Sequence, residues 1–220
     1  MLELILTIGF FVASFISSFA GVLGLTFAWY WKGLPLAILI FDIGRGVIAG
    51  DRSRLRLFIW IGLIFSLVAD LVIMESFIGG LIFFLIAHVM YIAAMGVGPG
   101  NAAQRAKAIA PAAVYLLFML AIIVPKVPSD LLIPVVIYST IITSMLALAT
   151  LRAFVAVKDA YARLLWFGAL LFVISDSMIA INRWVVDDMR YAGIVILVTY
   201  YTGQWFISRG VRVQRTTAQG

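Results

Sequence analysis

The chain has 220 residues, of which 65% are hydrophobic and only 12% are charged, and its formal net charge is +6. A soluble domain of this size could not keep so much apolar surface away from water, so we expect most of that surface to face lipid. The positive charge does not indicate a nucleic-acid partner, because the basic residues fall in short segments between apolar runs, where they set the topology of a membrane protein.

Eight apolar stretches follow one another, each close to the length of about 20 residues that a helix needs to cross a bilayer. The first has Glu3 and no basic residue before it, which is typical of a retained helix and not of a cleaved signal peptide. The predicted spans are residues 3–25, 33–50, 55–74, 77–97, 106–125, 130–151, 161–182 and 190–208. We therefore predict an all-α integral membrane protein with eight transmembrane helices, forming a single domain over residues 1–210 with a short polar tail over residues 211–220.

Basic residues are distributed unevenly between the two sides that these spans define. Eight spans leave both termini on one side, together with eleven basic residues: Arg52, Arg54, Arg56, Arg105, Lys107, Arg152, Lys158, Arg163, Arg209, Arg212 and Arg215. The opposite side holds four, namely Lys32, Lys126, Arg183 and Arg190, while Arg45 lies within the second span. Because cytoplasmic loops carry the excess of positive charge, we predict that both termini are cytoplasmic.

The third and seventh spans each contain an aspartate eight residues after a glycine, at Gly62–Asp70 and Gly168–Asp176. A charged side chain at the centre of a membrane helix costs about 2.5 kcal/mol or more, so such residues face a partner or a wet cavity. Because an aspartate follows a glycine at the same spacing in two apolar spans, we predict that the two aspartates belong to one shared site. The frame also fits a diverged four-plus-four parallel repeat, in which the third helix of each half crosses the membrane in the same direction.

Serines lie beside both aspartates, Ser66 one turn before Asp70 and Ser175 directly before Asp176. Small residues let helices approach closely, so this face of each helix is predicted to lie within the bundle. Both acids come late in helices that run outward, and we expect them at comparable depth. If they meet, one would hold a proton while the other stays ionised. The alternative is that each is a structural acid hydrogen-bonded to a serine or a tyrosine.

Further polar residues lie in the fourth and eighth spans, at His88, Tyr91, Tyr200 and Gln204. His88 follows Asp70 by one span and could contact that acid, although a lone histidine in an apolar helix is more often a satisfied hydrogen-bonding residue. With two aspartates it would make only a poor three-ligand metal site, and the chain has no cysteine. We therefore predict no metal and no cofactor.

Three cations, Lys32, Arg183 and Arg190, lie at the non-cytoplasmic ends of their predicted helices. They either extend to the membrane interface, as long basic side chains do, or hold the phosphate of a lipid. In the second span, Asp42 and Arg45 are three residues apart, which predicts an ion pair on one helix face.

These residues fall in segments that resemble the YhhN-like family of membrane proteins, which includes the mammalian lysoplasmalogenases. The resemblance extends from Lys32 to Gly210 and rests on four segments: residues 62–74 (GLIFSLVADLVIM), 77–91 (FIGGLIFFLIAHVMY), 168–184 (GALLFVISDSMIAINRW) and 200–210 (YYTGQWFISRG). It implies an eight-helix membrane enzyme, in the inner membrane of a bacterium, that acts on a lysophospholipid.

By this resemblance the reaction would be cleavage of the vinyl-ether bond of a lysoplasmalogen, giving a fatty aldehyde and glycerophosphoethanolamine or glycerophosphocholine. Asp70 and Asp176 would be the catalytic acids, with His88, Tyr91, Tyr200 and Gln204 as neighbours. Vinyl-ether hydrolysis requires a general acid and a nearby negative charge, which a pair of carboxyl groups provides. Two other functions stay open at this point: a proton-coupled transporter, and a scaffold whose acids only hold helices together. The sequence leaves the oligomeric state open.

Overall fold

The computed structural model describes residues 1–20, 32–96, 100–155, 160–186 and 189–218, and the regular secondary structure in these ranges is entirely helical. The described residues form eight helices in the order predicted for the spans: α1 (Leu2–Phe19), α2 (Leu34–Ile48), α3 (Arg54–Val72), α4 (Phe77–Met95), α5 (Ala102–Ile123), α6 (Leu132–Val155), α7 (Ala160–Trp184) and α8 (Ala192–Ala218). Helix α8 includes most of the polar tail predicted over residues 211–220.

Six of these helices are long and apolar enough to cross a membrane, namely α1, α3, α4, α5, α6 and α7. The other two are α2, with only 15 residues, and α8, whose middle is polar around Tyr200 and Gln204. The all-helical fold and the integral membrane class are thus confirmed. Eight crossings, the repeat and the cytoplasmic position of the termini stay predictions.

The boundaries of α4 and α5 follow from local signals in the sequence. The Ser76 side chain accepts a hydrogen bond from the Gly79 amide and caps the start of α4, and Gly96 ends that helix with a φ of 62°, a left-handed conformation that favours glycine. Asn101 and Gln104 form a reciprocal capping box at the start of α5. These caps satisfy backbone groups that a helix end leaves without partners.

Close packing between consecutive helices places the two acidic helices. In the described residues α3 packs most extensively on α4, and α7 packs most extensively on α8, whereas α3 and α7 do not pack on each other. Gly168 lies against the backbone of α8 near Gly203, and Gly62 lies against the ring of Tyr91 in α4. Eight residues turn a helix by about 80° beyond two full turns. Each glycine therefore faces the neighbouring helix. The aspartate eight residues later is rotated by about 80° around the helix axis and points to one side of that contact.

Ion pairs join the start of α1, the end of α2 and the last turns of α8. The predicted pair between Asp42 and Arg45 is confirmed, with 3.1 Å between Arg45 Nη2 and Asp42 Oδ1. Arg212 in α8 also pairs with Asp42 and lies 3.3 Å from Glu3 in α1. The beginning and the end of the described chain therefore lie at the same end of the bundle.

Candidate active site

Asp70 and Asp176 line the same cavity, which has a volume of about 330 Å³. The cavity lies between the ends of α3 and α7, next to the first turns of α8. Its polar lining consists of Lys32, Asp70, Ser175, Asp176, Asn182, Arg183 and Tyr200. The two carboxyl groups therefore border one space, together with the ammonium group of Lys32. The structure thus brings together the two acids that share a sequence frame.

Asp70 is held by a tyrosine of the last helix. The Tyr200 hydroxyl in α8 donates a hydrogen bond of 2.9 Å to Asp70 Oδ2, and the Tyr200 ring is buried against Phe84 and Phe172. A hydrogen bond to a charged group is among the stronger ones in proteins. Tyr200 therefore fixes the orientation of the Asp70 carboxyl group. The same hydrogen bond explains how an aspartate is tolerated in the apolar helix α3.

Asp176 has a corresponding partner, which sequence reasoning missed. The hydroxyl of Tyr138, from α6, donates a hydrogen bond to Asp176 Oδ2, and only 8% of Tyr138 is exposed. Ser175 lines the cavity, but its hydroxyl donates to the Ile196 carbonyl at 3.0 Å and not to the aspartate. A tyrosine in the middle of an apolar span was the available signal for Tyr138, and the same signal marks Tyr200.

A second polar group lies away from the cavity, in the packed core between α3, α4 and α8. Ser66 Oγ is 3.2 Å from the Tyr91 hydroxyl, which donates to Gln204 Oε1 at 2.8 Å. All three side chains are buried, and none lines the cavity of the two acids. Ser66, Tyr91 and Gln204 therefore join helices, and any part they take in the site is indirect.

His88 belongs to the same core. Its Nδ1 lies 2.6 Å from the Phe84 carbonyl oxygen and donates to it, and its ring packs at 4.7 Å from that of Phe172. The contact with Asp70 that the sequence suggested is not formed, because the ring is turned toward its own helix backbone. Its other nitrogen, Nε2, is buried without a hydrogen-bond partner among the described residues.

Of the three cations that we considered for phosphate binding, Lys32 and Arg183 line the cavity and Arg190 does not. The Arg183 guanidinium lies 4.2 Å from the centre of the Phe77 ring, an arrangement that fixes it by cation–π attraction. Lys32 Nζ is 3.3 Å from the sulfur of Met74, and the Lys32 carbonyl accepts a hydrogen bond from Tyr201. The cavity therefore combines two carboxyl groups with two cations, an arrangement suited to a ligand with an anionic head and an acid-labile bond.

Comparison with known proteins gives a family and named relatives. The model of the YhhN family matches residues 27–211. Lysoplasmalogenase TMEM86B of Sus scrofa is 31% identical over 182 residues, which are 82% of this chain and 73% of that protein. Lysoplasmalogenase TMEM86A of Homo sapiens is 29% identical over 190 residues, 80% of this chain and 75% of that protein. No solved structure matches the chain.

Proposed function

Since this chain belongs to the YhhN family, we propose that it is a membrane hydrolase that cleaves the vinyl-ether bond of lysoplasmalogens. The products are a fatty aldehyde and a glycerophosphoethanolamine or glycerophosphocholine. The observation that supports this reaction most directly is the shared cavity, which Asp70 and Asp176 line together with the cations Lys32 and Arg183. The names of the relatives supply the substrate class.

The chemistry requires few groups. A general acid protonates the outer carbon of the vinyl ether, which leaves an oxocarbenium ion at the carbon bonded to oxygen. Water adds to that carbon and gives up a proton, and the resulting hemiacetal collapses when the glycerol oxygen takes a proton and leaves. One water is consumed and the acid is regenerated. General acid catalysis contributes about 10²–10⁴-fold to such a reaction.

The two carboxyl groups divide these tasks. One is protonated and donates to the vinyl carbon, while the other is ionised, stabilises the cation and takes the proton of the attacking water. Two adjacent carboxyl groups share protons as a pair, because removing both would place two negative charges close together. The hydroxyls of Tyr200 and Tyr138 hold the two groups in place.

The cations set the orientation of the substrate. Arg183 follows Asp176 by seven residues in α7, which is about 10 Å along a helix. A phosphate held by Arg183 and Lys32 therefore leaves the glycerol and its vinyl ether beside the carboxyl groups. Guanidinium and ammonium groups are the usual protein partners of phosphate.

The test is aldehyde release by purified protein, measured by mass spectrometry on a panel of lysolipids. Asp70→Asn and Asp176→Asn should each lower turnover by about 10³-fold or more, because the amide neither donates the proton nor carries the charge. Asp130→Asn is the matched control, since Asp130 is exposed in the loop between α5 and α6. Normal aldehyde release by both cavity variants would contradict the assignment. Proton-coupled lipid flux in liposomes, without breakdown of any lysolipid, would instead indicate a transporter.

A further inference from the structure

A second cavity adjoins the site of the two acids, and its character is different. It lies between α4, α5, α6 and α7, and its lining includes Leu81, Leu116, Met119, Ile142 and Val173. Among the described residues that line it, Asp176 is the only charged one. We call it the apolar cleft.

The apolar cleft and the cavity of the two acids lie side by side and share part of their lining. Five residues line both: Ile73, Phe77, Phe84, Asp176 and Ile179. Asp176 thus stands at the junction, with the cations on one side and an apolar space on the other. A molecule whose phosphate lies near Arg183 and whose reactive bond lies at Asp176 has its remaining part directed into the apolar cleft.

The apolar cleft also faces the lipid side of the bundle. Helices α4 and α5 are consecutive, yet in the described residues they do not pack on each other. Leu81 and Leu116 lie half-buried at this gap, beside the exposed residues Ile82 and Leu117. Met119 and Ile142, which are 8% and 5% exposed, lie deeper. The apolar lining of the cleft therefore extends from residues beside the lipid-facing surface to buried residues.

We propose that the apolar cleft holds the single hydrocarbon chain of a lysophospholipid, and that the chain enters it sideways from the membrane between α4 and α5. This rests on the proposed function for the identity of the ligand. A lysoplasmalogen has one chain, joined to its glycerol through the bond to be cleaved, so a phosphate site, an acid and one apolar cleft in that order match its three parts. Because the chain leaves one apolar medium for another, the apolar cleft positions it and adds little affinity.

The experiment uses a lysophosphoethanolamine with a saturated 1-O-alkyl chain that carries a mid-chain diazirine. Without the vinyl double bond this probe is not cleaved by the proposed reaction, so its labelling does not depend on turnover. After irradiation of the purified full chain, mass spectrometry should find the label on Met119 and Ile142. Label confined to lipid-facing residues such as Leu117 and Phe118 would overturn the proposal.

A matched pair of variants in α5 tests occupancy. Met119→Trp should lower labelling of the apolar cleft by about tenfold, because the larger side chain fills the space that the hydrocarbon needs. Phe118→Trp adds similar bulk at a residue that is 61% exposed and should leave labelling unchanged. Equal labelling in both variants would contradict the proposal. If Met119→Trp does not fold, the labelling map of the unaltered chain decides.

Aldehyde release from a natural lysoplasmalogen is measured in parallel. Label in the apolar cleft without aldehyde release would contradict the proposed function and leave the chain-binding site standing. Aldehyde release with label only on the lipid-facing surface would support the proposed function and contradict the chain-binding site.

Discussion

Each carboxyl group in the cavity receives a hydrogen bond from a tyrosine of another helix. Tyr200 donates to Asp70 and Tyr138 donates to Asp176. A buried acceptor that loses its donor costs about 1–3 kcal/mol, and more if it is charged. The two tyrosine hydroxyls therefore lower the free-energy cost of burying Asp70 and Asp176 in the bundle. They also fix the orientation in which each carboxyl group can exchange a proton.

Replacing Tyr138 by phenylalanine should lower both stability and activity. We expect Tyr138→Phe to reduce the free energy of unfolding by about 1–3 kcal/mol and aldehyde release by about tenfold or more, since Asp176 loses its orientation. Tyr115→Phe is the matched control, because the Tyr115 hydroxyl, from α5, bonds to Ser177 in α7 and not to a carboxyl group. Thermal unfolding and turnover are measured on both, and an equal loss of turnover in the two would contradict this reading of Tyr138.

The role of Arg183 is tested against a neighbouring arginine that lies outside the cavity. Arg183→Gln should raise KM for the lysolipid by about tenfold, or about 1.4 kcal/mol, while changing kcat little, because it removes a binding contact far from the reacting bond. Arg190→Gln is the control, since Arg190 lies over the Tyr191 ring and does not line the cavity. An unchanged KM in Arg183→Gln would exclude the proposed phosphate contact.

At the scale of helices, a glycine in each acidic helix sets how closely the next helix packs. A Cβ at Gly168 would lie 2.8 Å from the Gly203 carbonyl oxygen and 3.0 Å from the Ile207 nitrogen, both backbone atoms. Backbone cannot move aside as a flexible side chain does. The contact between α7 and α8, the most extensive in the described structure, therefore requires glycine at this position.

Gly168→Ala should consequently destabilise the protein by about 1–3 kcal/mol, through a shift of α7 away from α8. The comparison is Gly193→Ala in α8, where an added Cβ meets no atom within 4 Å. That change should be neutral or stabilise the protein by up to about 1 kcal/mol, because alanine favours the helix. Thermal unfolding in detergent distinguishes the two, and a neutral Gly168→Ala would show that α8 can move without loss.

At the scale of the whole molecule, topology can be measured directly because the chain has no cysteine. Arg52 and Lys126 are both exposed, and three helices separate them, so they should lie on opposite sides of the membrane. A membrane-impermeant maleimide should label Lys126→Cys in intact cells and Arg52→Cys only after lysis. The reverse pattern would invert the predicted orientation, and labelling of both from outside would contradict the predicted number of crossings between them.

The local sequence was sufficient to predict the helices. Apolar runs of membrane-spanning length predict helices wherever they occur, since backbone groups in lipid must bond within their own segment. The order of the eight helices and the pair between Asp42 and Arg45 follow from spacing along one chain. The two aspartates can also be recognised from the local sequence, because the free-energy cost of an aspartate in an apolar helix depends mainly on that helix.

Which side chains meet in the cavity was decided by tertiary structure alone. Tyr138 donates a hydrogen bond to Asp176, whereas His88 bonds to the backbone of its own helix. The sequence had suggested His88, and not Tyr138, as a partner of an aspartate. Such contacts depend on the rotation of each helix about its axis and on how closely glycines let helices cross. Those quantities arise from packing between distant segments, whereas helix formation and the cost of a buried charge arise within one segment, and only the latter can be read from the chain itself.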